Sequence, residues 1–238
     1  MSFARRPSLV ETIRERQKQG IFPVISEIKV RSEKEGDLLG GRDPLSLVQE
    51  MASCPVAGIS VVTEPRYFGG NIELLKSVAQ SVSLPVLHKD FINNITQIEQ
   101  SAVSGASAIL LIASMLEDTQ IAELIDAARE HGLESLVEVH TISDIERVHQ
   151  LNFDLLGINN RDITILEVDD TDVGHTERLA QYHDGTRPLV SESSISSSEE
   201  VVRAATAGAD AVLVGTAVMR APNIPLFLKR MISVGWPI

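Results

Sequence analysis

Charged side chains with acid–base potential recur where short apolar segments of the chain end. Glu27 and Lys29 lie in the first such segment, Lys89 ends the third, and Glu138 lies near the end of the fifth. A lysine beside a carboxylate supplies a proton donor and a proton acceptor, which general acid–base catalysis requires. These residue types therefore indicate acid–base chemistry, provided that the fold brings the ends of the segments together.

Further polar groups follow the later apolar segments. Asn159 and Arg161 come after the sixth segment, and Glu192 comes at the end of the seventh. Any one of these residues could equally well form a structural ion pair inside the protein and have no function in catalysis. The number of these residues, and their origin in different segments, favours a shared functional site.

Two turns rich in small residues follow the last two apolar segments. Ser193 and Ser194 precede a segment that opens a helix at 196–198, and Gly215 and Thr216 precede the last helical segment. Small residues let the backbone approach an anion closely, and the N–H groups at a helix start favour negative charge. Serine and glycine also occur in ordinary tight turns. We favour a phosphate site because of where the predicted fold places these turns.

The elements that must position these groups alternate along the chain. Amphipathic segments of helical period separate short apolar segments, most of which are continuous, as expected of parallel strands covered on both faces. The predicted strands are 23–30, 58–63, 85–89, 108–113, 135–140, 155–159, 188–191 and 211–215. An additional helix is predicted at 7–19.

Eight strand–helix units in a chain of 238 residues match the size of a closed (β/α)8 barrel, the TIM barrel. A doubly wound open sheet is the alternative, but it would usually carry a glycine-rich dinucleotide turn after the first strand, and segment 28–33 has none. We predict an α/β protein with one barrel domain, residues 1–238, of which about the first 20 form an N-terminal extension. In such barrels, functional groups project from the carboxyl ends of the strands.

Composition excludes several classes of protein. The net charge of −12 argues against a general nucleic-acid binder or a surface attracted to anionic lipid. A single cysteine excludes an intramolecular disulfide framework and a cysteine-based zinc site. No segment is apolar over a length that spans a bilayer, so no membrane association is expected. We predict a cytoplasmic protein whose anionic ligand, if any, binds in a locally basic pocket.

Seven short segments, taken in order, carry a resemblance to a known family. They are Glu-Ile-Lys at 27–29, Phe-Gly-Gly-Asn at 68–71, Lys-Asp-Phe at 89–91, Leu-Leu-Ile at 110–112, Leu-Val-Glu-Val-His at 136–140, Gly-Ile-Asn-Asn-Arg at 157–161 and Ser-Glu-Ser at 191–193. The chain resembles the indole-3-glycerol-phosphate synthases, the ring-closing decarboxylases of tryptophan biosynthesis, from about residue 7 to its end. The resemblance implies conversion of 1-(2-carboxyphenylamino)-1-deoxyribulose 5-phosphate into indole-3-glycerol phosphate.

The resemblance also implies roles for individual residues. Lys89 and Lys29 are the candidate general acids, Glu138 is the candidate base, and Glu27 would stabilise positive charge on the anilino nitrogen. Asn159 and Glu192 would orient the lysines and the substrate hydroxyls. The phosphate and the aromatic ring would be bound by a larger set: Ser32, Arg161, Ser193, Ser194, Gly215 and Thr216 for the phosphate end, and Phe68, Phe91 and Leu110 for the ring.

No metal or other cofactor is expected for this reaction, and the partner would be a small phosphorylated substrate. Association with other tryptophan-pathway enzymes is a further expectation. His88, His140, Glu64 and Asp90 could ligate a metal, but structural hydrogen bonding is the better explanation because they lack helical metal-ligand spacing. Two other functions stay open: a phosphate-sugar-binding paralogue without turnover, and another phosphate-binding barrel enzyme such as a phosphoribosyl-intermediate isomerase.

Three features depart from the family pattern. The loop after Lys29 usually reads Ser-Pro-Ser-Lys-Gly, whereas segment 31–36 lacks the proline and gains acidic residues. Ser194 stands where the family has a glycine, which would cost strain if the position needs positive φ. The N-terminal region is shorter than usual, so we expect it to lack part of a helix that covers the mouth of the active site.

Overall fold

The computed structural model describes residues 6–161 and 172–237. Eight parallel strands form a closed barrel in the order β1-β10-β9-β8-β7-β6-β5-β4, and β2 and β3 form a separate antiparallel hairpin. The barrel strands are β1 Val24–Ile28, β4 Gly58–Val62, β5 Val86–Lys89, β6 Ala108–Ile112, β7 Glu134–Val139, β8 Leu155–Asn159, β9 Leu189–Glu192 and β10 Ala211–Val214. The hairpin strands are β2 Arg31–Ser32 and β3 Gly36–Asp37. The predicted barrel is confirmed, and each predicted strand overlaps an observed one.

Ten α-helices lie within the described residues. They are α1 Leu9–Lys18, α2 Pro44–Ala52, α3 Ile72–Ser81, α4 Ile95–Val103, α5 Asp118–Glu130, α6 Ile142–Val148, α7 Gly174–Leu179, α8 Ser198–Thr206, α9 Thr216–Arg220 and α10 Ile224–Ile232. Side chains cap the starts of several helices: Asn71 accepts from the N–H of Leu74, and Thr141 and Ser197 each form a capping box. No helix in the described part of the chain is long and apolar enough to cross a bilayer.

The strands read as continuous apolar segments because both of their faces are covered. One core cluster contains inward residues such as Ile25, Leu87 and Leu136. The other contains residues of the outward strand faces and of the helices, such as Ile28, Val61 and Val137. Since side chains alternate along a strand, the residue two positions after each inward apolar residue also faces the barrel interior. The strands therefore direct the side chains at their carboxyl ends into the barrel mouth.

Helix α1 closes the opposite end of the barrel. Leu9 and Ile13 are fully buried and pack with the lower inward residues of the strands. Glu134, the first residue of β7, accepts hydrogen bonds from the backbone N–H groups of Leu9 (2.7 Å) and Val10 (3.3 Å) and so anchors the start of the helix. The helix lies at the amino ends of the strands, opposite the mouth, so α1 itself does not cover the active site.

The packing of α1 predicts a specific loss of stability. Replacing Leu9→Ala leaves a cavity under the barrel floor and should lower the free energy of unfolding by about 2–5 kcal/mol. Chemical denaturation measures the change. Leu226→Ala, at a leucine that is 50% exposed, is the matched control and should cost far less. Equal unfolding midpoints for the two variants would show that α1 does not close the barrel core.

Candidate active site

Five charged side chains from four strands or strand ends meet in the barrel mouth. Glu27 and Lys29 come from β1 and the residue just after it, and Lys89, Glu138 and Glu192 come from β5, β7 and β9. All except Lys89 are at most 4% exposed, and the side chain of Lys89 is 14% exposed. The predicted catalytic residues are therefore brought together, although they lie far apart along the chain.

The Lys89 ammonium lies at the centre of this cluster. Its Nζ is 2.8 Å from Glu192 Oε2, 3.8 Å from Glu27 Oε2 and 3.9 Å from Glu138 Oε2. Lys29 Nζ lies 3.5 Å from Glu27 Oε1. Three carboxyl groups thus surround one ammonium group, and the opposite charges offset the cost of burying them.

Glu192 has an unusual protonation equilibrium. Its complete burial raises the pKa of the carboxyl from the usual value near 4.5 to about 7, and the nearby Glu138 and Glu27 add to the rise. The Lys89 ammonium acts in the opposite direction, but its contact does not outweigh burial. Glu192 Oε1 is buried and accepts no hydrogen bond from the described residues. The carboxyl can therefore change its charge near neutral pH.

Two glycines make room for the buried carboxylates. A Cβ at Gly157 of β8 would lie 2.2 Å from Glu192 Oε1, and a Cβ at Gly215 would lie 2.3 Å from Glu27 Oε1. Any larger residue at either position would displace a carboxylate. From the sequence, Gly215 was predicted only as a phosphate ligand and no role was predicted for Gly157, because neither contact exists until the barrel closes.

Two adjacent asparagines at the end of β8 have different surroundings. Asn159 lies in the mouth, where its Oδ1 accepts from the N–H of Arg161 (3.0 Å) and its buried Nδ2 has no hydrogen-bond partner among the described residues. Asn160 is completely buried, and its Nδ2 donates to the carbonyl oxygens of Glu192 (2.9 Å) and Ser193 (3.3 Å). Asn160 therefore fixes the turn after β9, a role that the sequence analysis did not assign.

A polar cavity lies beside the charged cluster, over the turns that follow β9 and β10. Ser193, Ser194, Gly215, Thr216 and Arg161 line it, as the sequence predicted for a phosphate site. Ser193 and Ser194 have φ values of 66° and 57°, so the position of Ser194 does require the left-handed conformation that glycine adopts most easily. In this chain, two serines adopt this backbone conformation, which is strained for a residue with a Cβ.

One part of the predicted phosphate site is already occupied. The backbone N–H groups of Ser196 and Ser197 both donate to Glu200 Oε2, at 2.8 and 2.7 Å. These two N–H groups are therefore not free to bind an anion in this structure, and the phosphate site stays a prediction. The N-terminal capping box of α8 uses them instead.

An apolar cavity lies on the other side of the cluster. The predicted ring-binding residues Phe68, Phe91 and Leu110 line it, together with Val62 and Ile112, which the sequence analysis did not single out. Lys29 Nζ lies 5.6 Å from the centre of the Phe68 ring, a cation–π contact. Glu27, Lys29 and Lys89 line both cavities.

Ser32 lies outside both cavities. It belongs to the β2–β3 hairpin, and its Oγ accepts a hydrogen bond from the N–H of Glu35 (3.1 Å). The neighbouring Arg31 donates to the carbonyl oxygen of Tyr67 (3.1 Å) and also contacts that of Arg66. The structure therefore uses both residues to hold the hairpin.

The four residues considered as metal ligands form hydrogen bonds and ion pairs within the protein. Glu64 accepts from three backbone N–H groups of its own loop, and Thr63 Oγ1 contacts both Asp90 and His88 Nε2 (2.7 Å to the histidine). His140 Nε2 lies 3.4 Å from Glu138 Oε1. Among the residues that the structure describes, no group of three His, Cys, Asp or Glu side chains is arranged to hold a metal ion.

Comparison with known proteins gives a consistent result. A family model described as indole-3-glycerol phosphate synthase matches residues 3–231. A relative of that name from Pyrococcus furiosus is 46% identical over 211 residues, which cover 89% of this chain and 92% of the relative. One from Thermococcus kodakarensis is 42% identical over 226 residues, which cover 95% and 97%. The solved structure of 3-hexulose-6-phosphate synthase from Salmonella typhimurium has a TM-score of 0.72 over 90% of this chain and 98% of that chain; at 15% identity it shows a common fold.

The closed barrel, with buried acid–base groups at the carboxyl ends of its strands, defines an enzyme of the (β/α)8-barrel class. The family match and the two relatives narrow that class. The chain belongs to the indole-3-glycerol phosphate synthase family, whose members are carboxy-lyases, and the sequence resemblance is confirmed.

The raised pKa of Glu192 predicts how stability depends on pH. A carboxyl with a folded-state pKa of about 7 and an unfolded value near 4.5 binds its proton more tightly in the folded protein. Its contribution to stability is therefore complete below about pH 4.5 and is lost as the pH rises to about 7. Relative to Glu192→Gln, the wild-type protein should gain stability between pH 7 and pH 4.5. Urea unfolding across this range measures the difference, with Glu123→Gln as the exposed control; a difference that is independent of pH would contradict the assignment.

Proposed function

We propose that this chain converts 1-(2-carboxyphenylamino)-1-deoxyribulose 5-phosphate into indole-3-glycerol phosphate, CO2 and water. The observation that carries the proposal is that three residues of the charged cluster, Glu27, Lys29 and Lys89, line both cavities. A substrate with a phosphate at one end and an aromatic ring at the other would place its ketone beside Lys89. The family membership supports the same reaction.

The two ends of the substrate would be held by different chemistry. Ser193, Ser194, Gly215 and Thr216 suit the phosphate because small residues allow close approach of the backbone. Phe68, Phe91 and Leu110 would contact the ring, and Lys29, next to the Phe68 ring, would bind the substrate carboxylate. Arg161 supports the end of β8 from the rim of the polar cavity.

Ring closure requires an acid at the ketone oxygen. Lys89 would donate its proton there while the aromatic carbon that bears the carboxylate attacks the ketone carbon and the new C–C bond forms. Positive charge then develops on the anilino nitrogen and its ring. Glu27 and Glu138, both buried and close to Lys89, would stabilise that charge more strongly than water could. Loss of CO2 returns the electron pair of the broken C–C bond to the ring.

Dehydration requires an acid and a base. The hydroxyl formed from the ketone would leave as water after taking a proton from a lysine, and Glu138 would remove the proton that restores the indole. We assign the second acid to Lys29, which is paired with Glu27 at the boundary of both cavities. The Nδ2 of Asn159 and the Oε1 of Glu192, both buried without a hydrogen-bond partner among the described residues, would orient the ribulose hydroxyls.

Several broader expectations remain predictions. We propose that residues 1–238 form one domain, that the protein is cytoplasmic and that it associates with other enzymes of tryptophan biosynthesis. The reaction consists of C–C bond formation, proton transfers and loss of CO2 and water. It therefore calls for neither a redox cofactor nor a metal, and we propose that it uses none.

A fluorescence assay for the indole product tests the proposed function. Purified protein incubated with the carboxyphenylamino substrate should generate indole fluorescence in proportion to protein concentration. A binding paralogue would bind the substrate without turnover, and another phosphate-sugar enzyme would leave it unbound or unchanged. Absence of product with correctly folded protein would reject the proposed function.

Two isosteric substitutions test the assignment of the acid and the base. Lys89→Gln should lower kcat by roughly 10²–10⁴-fold because the ketone loses its proton donor, and Glu138→Gln should lower kcat by a similar factor with KM little changed. Steady-state kinetics measures both. The exposed pair Lys76→Gln and Glu73→Gln, on α3, provides matched controls that should behave as wild type. Near-normal turnover of Lys89→Gln would remove Lys89 as the acid, and unchanged kinetics of Glu138→Gln would remove Glu138 as the base.

A further inference from the structure

Arg220 is a cation of the polar cavity that the sequence analysis did not assign. It is the last residue of α9, the short helix that begins at Thr216, and it lines the cavity. Its guanidinium forms an ion pair with Glu35, which lies in the turn of the β2–β3 hairpin. The side chain of Arg220 is 58% exposed, whereas that of Glu35 is 21% exposed. An ion pair with one such exposed member is weak and exchanges partners readily.

The turn of the hairpin is held in two places that involve different atoms. Glu35 donates its N–H to Ser32 Oγ (3.1 Å) and places its carboxylate on Arg220. Glu35 thus contacts the predicted phosphate ligand Ser32 through its backbone N–H and Arg220 through its carboxylate. Displacement of the Glu35 carboxylate would free the guanidinium of Arg220, while the hydroxyl of Ser32 can donate its proton to an anion whether or not its oxygen accepts the N–H of Glu35.

The base of the hairpin is anchored independently of its turn. Arg31 donates to the carbonyl oxygen of Tyr67 (3.1 Å), and Arg42 donates to that of Met219 (2.6 Å). The N–H of Leu38 donates to the carbonyl oxygen of Val30 (2.9 Å). The turn can therefore change its contacts while the base of the hairpin stays on the barrel.

The electrostatics of the polar cavity favour Arg220 as an anion ligand. Lys29 and Lys89 are close to Glu27, and Lys89 also pairs with Glu192. Glu200 lines the same cavity and already accepts the N–H groups at the start of α8. Arg220 is paired instead with a partly exposed carboxylate, and the planar guanidinium can bind two phosphate oxygens at once.

We propose that Arg220 binds the substrate phosphate and that Glu35 occupies Arg220 until the phosphate displaces it. The proposal rests on the proposed function in taking the polar cavity as the phosphate site. A phosphate dianion competes with the single negative charge of Glu35 for the same guanidinium. Binding of the phosphate thus releases the hairpin turn from α9. The acidic residue gained in this loop thereby couples phosphate binding to the position of the hairpin turn.

Isothermal titration calorimetry of inorganic phosphate binding to the full chain tests this exchange without turnover. Arg220→Gln should weaken phosphate binding by about tenfold or more, the effect of losing a charged hydrogen-bond donor. Glu35→Gln should tighten it several-fold because the competing carboxylate is gone. Glu33→Gln removes the same charge from an exposed position of the same turn and is the matched control, with an expected change of less than about twofold.

The double variant separates exchange at Arg220 from a general charge effect. If Glu35 acts through Arg220, then Glu35→Gln should produce no further tightening in the Arg220→Gln background. Equal tightening in both backgrounds, an unchanged affinity of Arg220→Gln, or the absence of phosphate binding to wild type would each overturn the proposal. Hydrogen exchange of residues 33–36 should increase on addition of phosphate in wild type but not in Arg220→Gln.

The indole assay, run on the same preparations, distinguishes the two proposals. A chain that makes the indole product but lacks the coupling between Glu35 and Arg220 rejects only the exchange. If the chain shows the coupling but makes no product, the proposed exchange at a phosphate site stands and the proposed reaction is rejected.

Discussion

The barrel mouth buries three carboxylates and two lysine ammonium groups within a few ångströms of one another, and most of the site follows from the need to balance these charges. An unpaired charge in a protein interior is strongly unfavourable, so each group requires a partner or must lose its charge. With all five groups ionised, the cluster would carry one excess negative charge. Protonation of Glu192, whose pKa is raised to about 7, removes that excess as the pH falls below neutrality, because it leaves two carboxylates for two ammonium groups. The same residue then holds a proton beside the position proposed for the substrate hydroxyls.

The buried charges constrain the surrounding backbone, which must leave space for the carboxylates and adopt strained turns. Gly157 and Gly215 leave space for Glu192 and Glu27, and a Cβ at either position would overlap a carboxylate oxygen. The turn after β9 carries two consecutive serines with positive φ, a conformation that persists only where other contacts hold it. Asn160 provides such contacts through hydrogen bonds to the carbonyl oxygens of Glu192 and Ser193. One buried amide thus fixes both the end of the strand that carries Glu192 and the turn that lines the polar cavity.

The net charge of −12 and a site for an anionic substrate are compatible because the charges are separated in space. Acidic residues lie in the first turns of several helices, where they stabilise the helix dipole, and the cations face the barrel mouth. At 0.15 M ionic strength the Debye length is about 8 Å, so the distant acids act weakly on a ligand in the mouth. Local carboxylates matter more. Glu35 contacts Arg220, and Glu200 accepts the N–H groups of Ser196 and Ser197. Under the proposed function, we therefore expect substrate affinity to depend on these two acids more than on the total charge.

The sequence by itself determined the barrel and the set of side chains at the strand ends. It also determined where each strand begins and ends, to within two residues. It could do so because strands covered on both faces leave continuous apolar segments, and because parallel strands in a barrel must place their carboxyl ends together. Only the tertiary structure decided which groups touch. The space that Gly157 leaves for Glu192, the role of Asn160 and the pairing of Glu35 with Arg220 join residues from separate strands and loops, and no local pattern encodes such distances. The position of α1 at the amino ends of the strands was likewise set by the apolar floor of the closed barrel, which Leu9 and Ile13 fill.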